Sequence, residues 1–240
     1  MSIFPIYNTL LFITTSIAQN SLGIGIIVLT LIIRTILLIP SQRALRSQKK
    51  LQEIQPKLEA IKKKYQGNQE RIAQETLNLW RTHKVNPFGS CVPLLIQFPV
   101  LIALFYVIQD GLNPNNIHFL YPTLKHISLS DIGVQFLWLD LTKVNSIVLP
   151  LIVGGLQFLQ IKLQLGRTKK QTDDKQTKTP EMQMVNQTML YFMPVMIAVF
   201  TASVPAGVGL YWGVSTMFGI GQQIVVNMEK ETHKVKILPS

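Results

Sequence analysis

The stretch LGIGIIVLTLIIRTILLIP, residues 22–40, decides the fold class of this chain. As a helix it is long enough to cross the roughly 30 Å hydrocarbon core of a bilayer, and it carries a single charge, Arg34. The whole chain has 240 residues, of which 48% are hydrophobic and 15% are charged. Soluble domains carry about 25% charged residues. Long apolar runs separated by charged blocks therefore indicate an all-α, polytopic membrane protein.

Further apolar runs follow the first, and together they predict five transmembrane helices. The predicted spans are residues 22–39, 88–108, 146–165, 186–203 and 206–226. Pro40 and Ser41 are expected to end the first span. Only the tight turn VPAG, residues 204–207, separates the last two spans, so they form a transmembrane hairpin.

Lysine and arginine are unevenly distributed between the predicted loops, and this sets the orientation. Residues 41–86 carry eleven, residues 166–186 carry five and the tail from residue 227 carries three, whereas the opposite side has only Lys125 and Lys143. Basic loops face the cytoplasm, so the amino terminus is predicted outside and the carboxyl terminus inside the cell membrane. The net charge of +11 lies beside apolar runs, which favours anionic lipids over a specific nucleic-acid sequence as its partner.

The charged block after the first span has a helical pattern. Its apolar residues alternate steps of three and four, and the turn signal Gly67-Asn68 divides it. The apolar seam consists of Leu51, Ile54, Leu58, Ile61 and Tyr65, followed by Ile72, Thr76 and Leu79 and by Ala73, Leu77 and Trp80. Residues 43–85 are thus predicted to form a cytoplasmic antiparallel helical hairpin, in which Pro56 kinks the first helix or marks its start. A solvated charged linker is the weaker alternative.

The two ends of the chain lie outside the five-span core of residues 21–227. Residues 1–20 place apolar residues at helical spacing, and they predict an external amphipathic helix in the interface, with a short span as the alternative. Polar residues interrupt this pattern at Asn8, Thr9, Ser16 and Gln19. Residues 228–240 are expected to be a short cytoplasmic tail, and the polar residues 166–181 a flexible cytoplasmic loop.

The external connection, residues 110–145, contains two histidines, His118 and His126. They lie eight positions apart with no obvious third ligand, so a metal site is not expected there. Tyr121 and Trp138 are expected at the membrane interface as aromatic anchors.

Arg34 is the strongest candidate for a functional residue. A cation at mid-span costs about 2.5–3.5 kcal/mol, and no acidic residue lies in any predicted span. Two interpretations stay open: the side chain reaches to the cytoplasmic end of its span, or it lines a water-filled cavity. Amides in the other spans favour the cavity, and they are Gln97, Gln157, Gln160, Gln164, Gln222 and Gln223.

Catalytic motifs are missing from the sequence. It contains no hydrolase elbow, no zinc-protease motif and no Walker A loop, and no predicted span holds a histidine or carboxylate to act as a base. Ser215, in the segment GVS, has no catalytic partner. The chain is therefore not expected to be an enzyme, to bind a cofactor or to use a nucleotide.

Three long stretches resemble the YidC membrane insertases and their mitochondrial and chloroplast relatives. They are KKLQEIQPKLEAIKKKYQGNQERI (49–72), VNPFGSCVPLLIQFPVLIALFYVI (85–108) and YFMPVMIAVFTASVPAGVGLYWGVSTMFGIGQQ (191–223). The resemblance implies an insertase and chaperone that passes membrane proteins through a hydrophilic groove open to cytoplasm and lipid but sealed outside. The groove residues that it implies are Arg34, Gln97, Gln160, Tyr211 and Trp212.

The resemblance also implies nascent membrane proteins as partners, with the ribosome and the Sec translocon as further ones. The tail after residue 227 is short, so ribosome contact would use the hairpin and residues 166–181. Two other functions compete with insertion: a small channel or transporter, and a structural subunit that packs against other membrane proteins.

Overall fold

The structure, a computed structural model, describes residues 3–83, 85, 92–112, 120–145, 147–165 and 187–235. The start of the predicted second span, Cys91, His118 and residues 166–181 lie outside the described residues. The helices are α1 (Ile3–Ser16), α2 (Leu22–Ile36), α3 (Leu38–Lys64), α4 (Gln69–Thr82), α5 (Val92–Tyr106), α6 (Val148–Leu165), α7 (Met193–Thr201) and α8 (Ala206–Val235). The predicted all-α class is confirmed, with one small hairpin of β1 (Gln135–Phe136) and β2 (Leu139–Asp140) added to it.

The first apolar run ends at a bend. The helix breaks at Leu37, and α2 meets the first part of α3 at 65°. The expectation that Pro40 ends the first helix is therefore wrong. Pro40 lies in the first turn of α3. A proline is tolerated there because the backbone N–H that it lacks would have no partner in a first turn.

The charged block forms two helices that contact each other, α3 and α4. Gly67, at φ +90°, turns the chain between them, and the side chain of Asn68 caps α4 by accepting from the Arg71 N–H at 3.0 Å. Pro56 neither starts nor interrupts α3, which runs through it. Of the predicted apolar residues Ala73, Leu77 and Trp80, the first two are exposed. The partly buried face of α4 carries Ile72, Thr76, Leu79 and Trp80.

Helix α8 is the centre of the bundle. It contacts α2, α3, α5, α6 and α7. It runs to Val235, whereas the sequence predicted the fifth span to end at 226 with a tail from 228. Helix α7 follows directly on a π-helical turn, Thr188–Phe192.

Helix α1 packs against α2 and α5. Thr9, Ser16 and Gln19 are exposed, as the amphipathic pattern predicts, but Asn8 is buried. Its amide accepts from the Tyr121 N–H at 2.7 Å and donates to the Phe4 carbonyl at 2.9 Å. A buried amide with both bonds made is compatible with an apolar helix face.

Residues 120–145, which we name the cap, tie the beginnings of α2 and α8 together. The Leu22 N–H donates to the Gly133 carbonyl at 3.0 Å, and the Ala206 N–H donates to the Lys143 carbonyl at 2.8 Å. The main apolar core lies here, where α1, the cap and the first turns of α2 and α8 meet. Its fully buried members include Leu10, Leu11, Leu22, Ile26, Leu104, Leu141 and Val208.

By length and apolar composition, α6 is the one described helix that suffices alone to cross a membrane. Helices α2 and α3, as a bent pair, meet the same condition together, and shorter apolar helices cover Gln97–Gln109 and Thr188–Thr201. A count of five crossings therefore stays a prediction.

Candidate functional site

Arg34 lies in the last turn of α2, where it joins three helices. Its Nε donates to Oγ of Ser215 on α8 at 2.8 Å, and a terminal nitrogen donates to Oε1 of Gln97 on α5 at 3.2 Å. Both acceptors are neutral, and in the part of the chain that the structure describes no carboxylate pairs with Arg34. The free carbonyl groups at the carboxyl-terminal end of α2 supply partial negative charge, which offsets only part of the free-energy cost of burying the cation.

Gln97 is held in one orientation by this contact. An arginine has only donors, so the oxygen of the amide must face Arg34 and its nitrogen must face away. The amide nitrogen then faces away from the guanidinium, and Gln97 is half-buried.

Tyr211 completes the cluster from α8. It lies four residues before Ser215, which puts both side chains on one face of the helix. It is fully buried, and its side chain interacts with Arg34, Ser215 and Gln97. Arg34, Gln97, Tyr211 and Ser215 therefore form one connected group, which we name the arginine cluster.

Trp212 faces a different part of the bundle. Its indole Nε1 donates to Oε1 of Gln157 on α6 at 3.5 Å, and its ring centroid lies 5.6 Å from that of Phe200 on α7. The two members of the aromatic pair thus line different surfaces of α8, because successive helical residues point about 100° apart.

Gln160 approaches α8 one turn beyond Ser215. A Cβ atom on Gly219 would lie 2.5 Å from Nε2 of Gln160, so the glycine makes the room that this amide occupies. Gly219 follows Ser215 by four residues and extends the same face of the helix. The polar surface therefore continues from the arginine cluster along α8.

Polar contacts mark the later part of this face. Oγ of Ser41 donates to Oε1 of Gln222 at 3.0 Å, and Nζ of Lys49 donates to the Val226 carbonyl at 3.2 Å. Nε2 of Gln222 is buried without a protein partner among the described residues. The two ends of the bundle thus differ, with an apolar core under the cap and polar groups from Arg34 toward α3.

Sequence reasoning missed Ser215 as a partner of Arg34. It found the serine but tested it only as a catalytic nucleophile. Its spacing of four residues from Tyr211, a predicted groove residue, is the signal that could have identified it. Gly219 and the Ser41–Gln222 contact carried no comparable signal.

No cluster of three His, Cys, Asp or Glu side chains is found among the residues that the structure describes. His126 is exposed on the cap. The arrangement of the arginine cluster suits the binding of a polar or anionic chain segment, since its cation is held by neutral partners only.

Comparison with known proteins gives a consistent picture. Residues 12–234 match the family described as 60Kd inner membrane protein. The chain is 34% identical over 214 residues to the membrane protein insertase YidC of Fusobacterium nucleatum, which covers 89% of each chain. It is 31% identical over 229 residues to the membrane protein insertase MisCA of Bacillus subtilis, covering 93% of this chain and 77% of that protein. A longer relative, YidC of Syntrophobacter fumaroxidans, is 32% identical over 206 residues, and the match spans 34% of its length.

Proposed function

The chain belongs to the 60Kd inner membrane protein family of YidC-type insertases, and on that premise we propose that it inserts integral membrane proteins into the cell membrane and helps them fold. Members of this family are insertases and chaperones rather than enzymes. The finer proposal concerns how this chain does it: a hydrophilic groove, built around Arg34 and open to cytoplasm and lipid, accepts the polar part of the incoming protein.

The observation that carries this proposal is the state of Arg34. It is half-buried, bonded to the neutral side chains of Ser215 and Gln97, and without a carboxylate partner in the described residues. A buried cation without a counter-charge needs water or an anionic ligand. The polar or acidic external tail of a substrate would supply that ligand, since attraction between opposite charges strengthens in a partly low-dielectric cavity.

Burial supports a groove that is sealed on one side. In the proposed orientation, the apolar core under the cap lies between the arginine cluster and the external side of the membrane. This core includes Leu22, Ile26 and Leu141. On the inner side, Nε2 of Gln222 is buried without a protein partner among the described residues, and such a donor costs about 1–3 kcal/mol unless water reaches it. Water from the cytoplasm would also reach Arg34 along this face. A solute channel, by contrast, would need a path through the apolar core.

The energy for insertion would come from the substrate. Strongly apolar residues each gain about 0.3–0.6 kcal/mol at the membrane centre, so a span of about 20 gains roughly 6–12 kcal/mol. The groove would lower the barrier for moving a short polar tail across the bilayer. No nucleotide is required by this scheme.

The proposed topology has five crossings, formed by α2, α5, α6, α7 with its π-helical turn, and α8. Helices α3 and α4 would then be the cytoplasmic hairpin and α1 the external interfacial helix. The charge difference between the loops supports this orientation, since nineteen lysines and arginines face two across the membrane. Nascent membrane proteins are the partners, together with anionic lipids, the ribosome and the Sec translocon.

Insertion into liposomes that contain only this protein tests the proposal. The test protein has one span and a short acidic external tail, and no nucleotide is added. We expect insertion with the wild type, retention with Arg34→Lys, and at least a tenfold loss with Arg34→Gln, which keeps hydrogen bonding but removes the charge. Lys162→Gln is the matched control, because Lys162 is the other cation in a predicted span and lies over the Phe158 ring instead.

Two results would overturn parts of the proposal. If Arg34→Gln inserts the test protein at the wild-type rate, the charge of Arg34 has no role in the mechanism, although the insertase function still stands. Failure of the wild type to insert any test protein would favour a structural subunit.

A further inference from the structure

The tip of the small β-hairpin exposes two large apolar side chains. Leu137 and Trp138 connect β1 to β2, and they are 74% and 65% exposed. Leu137 is the most exposed of the large apolar residues that the structure describes. A short turn between two strands normally takes Asn, Asp or Gly, so apolar residues here are unfavourable in water.

The backbone adds a second cost at the same position. Leu137 has φ +54°, in the left-handed region that side chains other than Asn, Asp and Gly avoid. Asparagine or glycine would relieve the strain and suit water better. The exposure favours an environment in which these two side chains leave water, and leucine occupies position 137 although asparagine or glycine would suit its backbone better.

The hairpin is held beside the beginning of α2. The Phe136 ring packs so closely on Gly23 that a Cβ atom there would overlap it. The Gly133 N–H also donates to the Asn20 carbonyl at 2.7 Å, which fixes the approach to the hairpin. Ile24, the next residue of α2, is an exposed apolar side chain, so an apolar surface begins where the hairpin is attached.

From these contacts we infer that the Leu137–Trp138 tip inserts into the headgroup boundary of the outer leaflet and anchors the cap to the bilayer. The inference rests on the proposed placement of α2 across the membrane with its beginning outside. Tryptophan is suited to this layer because its ring is apolar while its indole N–H binds headgroup oxygens. The Asp140–Lys143 ion pair, at 3.0 Å, keeps the base of the hairpin polar and in water.

The anchor has a mechanical consequence. The cap binds the beginning of α8 through the Lys143 and Leu141 carbonyls, which accept from the N–H groups of Ala206 and Gly207 at 2.8 and 2.9 Å. A cap fixed to the outer leaflet would hold the beginnings of α2 and α8 together while the inner half of the bundle admits a substrate. The outer seal would then stay closed during insertion.

Site-directed spin labelling tests the anchor without an insertion assay. Cys91 is the only cysteine, so Cys91→Ser gives a background for labels at Leu137→Cys and, as control, Lys125→Cys on an exposed cationic site of the cap. In liposomes of neutral and anionic phospholipid we expect the label at 137 to collide at least three times more often with oxygen than with a water-soluble nickel chelate. The label at 125 should show the reverse preference.

Leu137→Asn provides a second test of the anchor that does not depend on a spin label in the turn. Asparagine tolerates the left-handed backbone, so the protein should unfold in detergent at the wild-type temperature or above it. In liposomes, the emission of Trp138 should then be quenched less by lipids brominated near the headgroup. Trp80→Phe in both proteins removes the tryptophan of helix α4, and Trp212 of helix α8 gives the same background emission in each.

Preferential nickel collision at 137 would overturn the anchor. Protection of 137 only after another membrane protein is added would overturn it too, in favour of a protein partner. Protection of both 137 and 125 would contradict the placement of the cap, and hence the proposed topology, whatever the insertion assay gives.

Discussion

The guanidinium of Arg34 donates to the hydroxyl of Ser215 at 2.8 Å, so two residues 181 positions apart join α2 to α8 at the arginine cluster. The contact is directional, because Nε has a single N–H and it points at Oγ. One terminal nitrogen of Arg34 donates to Oε1 of Gln97 at 3.2 Å. Ser215 is thus a positioning residue for the cation.

Ser215→Ala should slow insertion of a substrate with an acidic tail by roughly two- to tenfold, since a net hydrogen bond is worth about 0.5–1.5 kcal/mol. Thr216→Ala is the matched control, because the Thr216 hydroxyl bonds at 2.9 Å to the Trp212 carbonyl within its own helix. The rate of insertion in liposomes is the measurement. Substrates with a neutral tail should respond less, and an equal response by both substrates would make the role of Ser215 purely structural.

Gly219 should be sensitive to size because it makes room for Gln160. Gly219→Leu fills that space and displaces the amide, and we expect insertion to fall several-fold while the protein still unfolds cooperatively. Gly221→Leu is the control, since nothing lies within 4 Å of a Cβ atom at Gly221. Equal insertion by the two variants would show that the position of Gln160 does not matter.

The sequence pointed to three members of the arginine cluster but not to the way they contact each other. Arg34 and Gln97 stood out as polar residues in apolar helices, and the resemblance to the YidC insertases added Tyr211. The structure brings the three side chains together. Ser215 was missed because serine is common in membrane helices and its role depends on a helix 181 residues away. Gln160 was predicted as a groove residue, and the structure places its amide against Gly219 of α8, one helical turn beyond Ser215.

Helix ends were predictable only where the signal was local. Gly67-Asn68 marks the turn before α4, and the Asn68 cap makes it. Pro40 misled, because a proline in the first turn of a helix is harmless. Pro56 does not mark a helix start, since α3 runs through it, and the kink that it predicts there stays a prediction. The burial of Asn8 was not predictable, since its partner is a backbone N–H in the cap.

Asn8→Ala should destabilise the cap. It leaves the partly buried Tyr121 N–H without its acceptor, and the loss of a hydrogen bond of this kind costs about 0.5–1.5 kcal/mol. A lower temperature of unfolding in detergent is the expected result. Thr9→Ala, on the exposed face of α1, should leave that temperature unchanged. If both variants unfold like the wild type, the contact between α1 and the cap contributes nothing to stability.

The stability of the cap should depend on pH through Asp140. The Thr142 hydroxyl donates to its Oδ1 at 2.6 Å and Lys143 pairs with its Oδ2 at 3.0 Å, and together they hold the pKa of Asp140 below its usual value. A carboxyl whose pKa is depressed by folding stabilises the protein above the unfolded pKa, about 3.9, and that contribution is lost as pH falls through the folded pKa. Unfolding in detergent should therefore shift to lower temperature below about pH 4.

Asp140→Asn separates this contribution from other acidic groups. The variant should be less stable than the wild type at neutral pH and should lose less stability on acidification, so the two curves converge at low pH. Asp131→Asn, at an exposed acid of the same cap, is the matched control for the loss of one negative charge. Lys143 also presents the carbonyl that binds the first N–H of α8. Parallel curves for Asp140→Asn and the wild type would mean that the Thr142 and Lys143 contacts do not persist in solution.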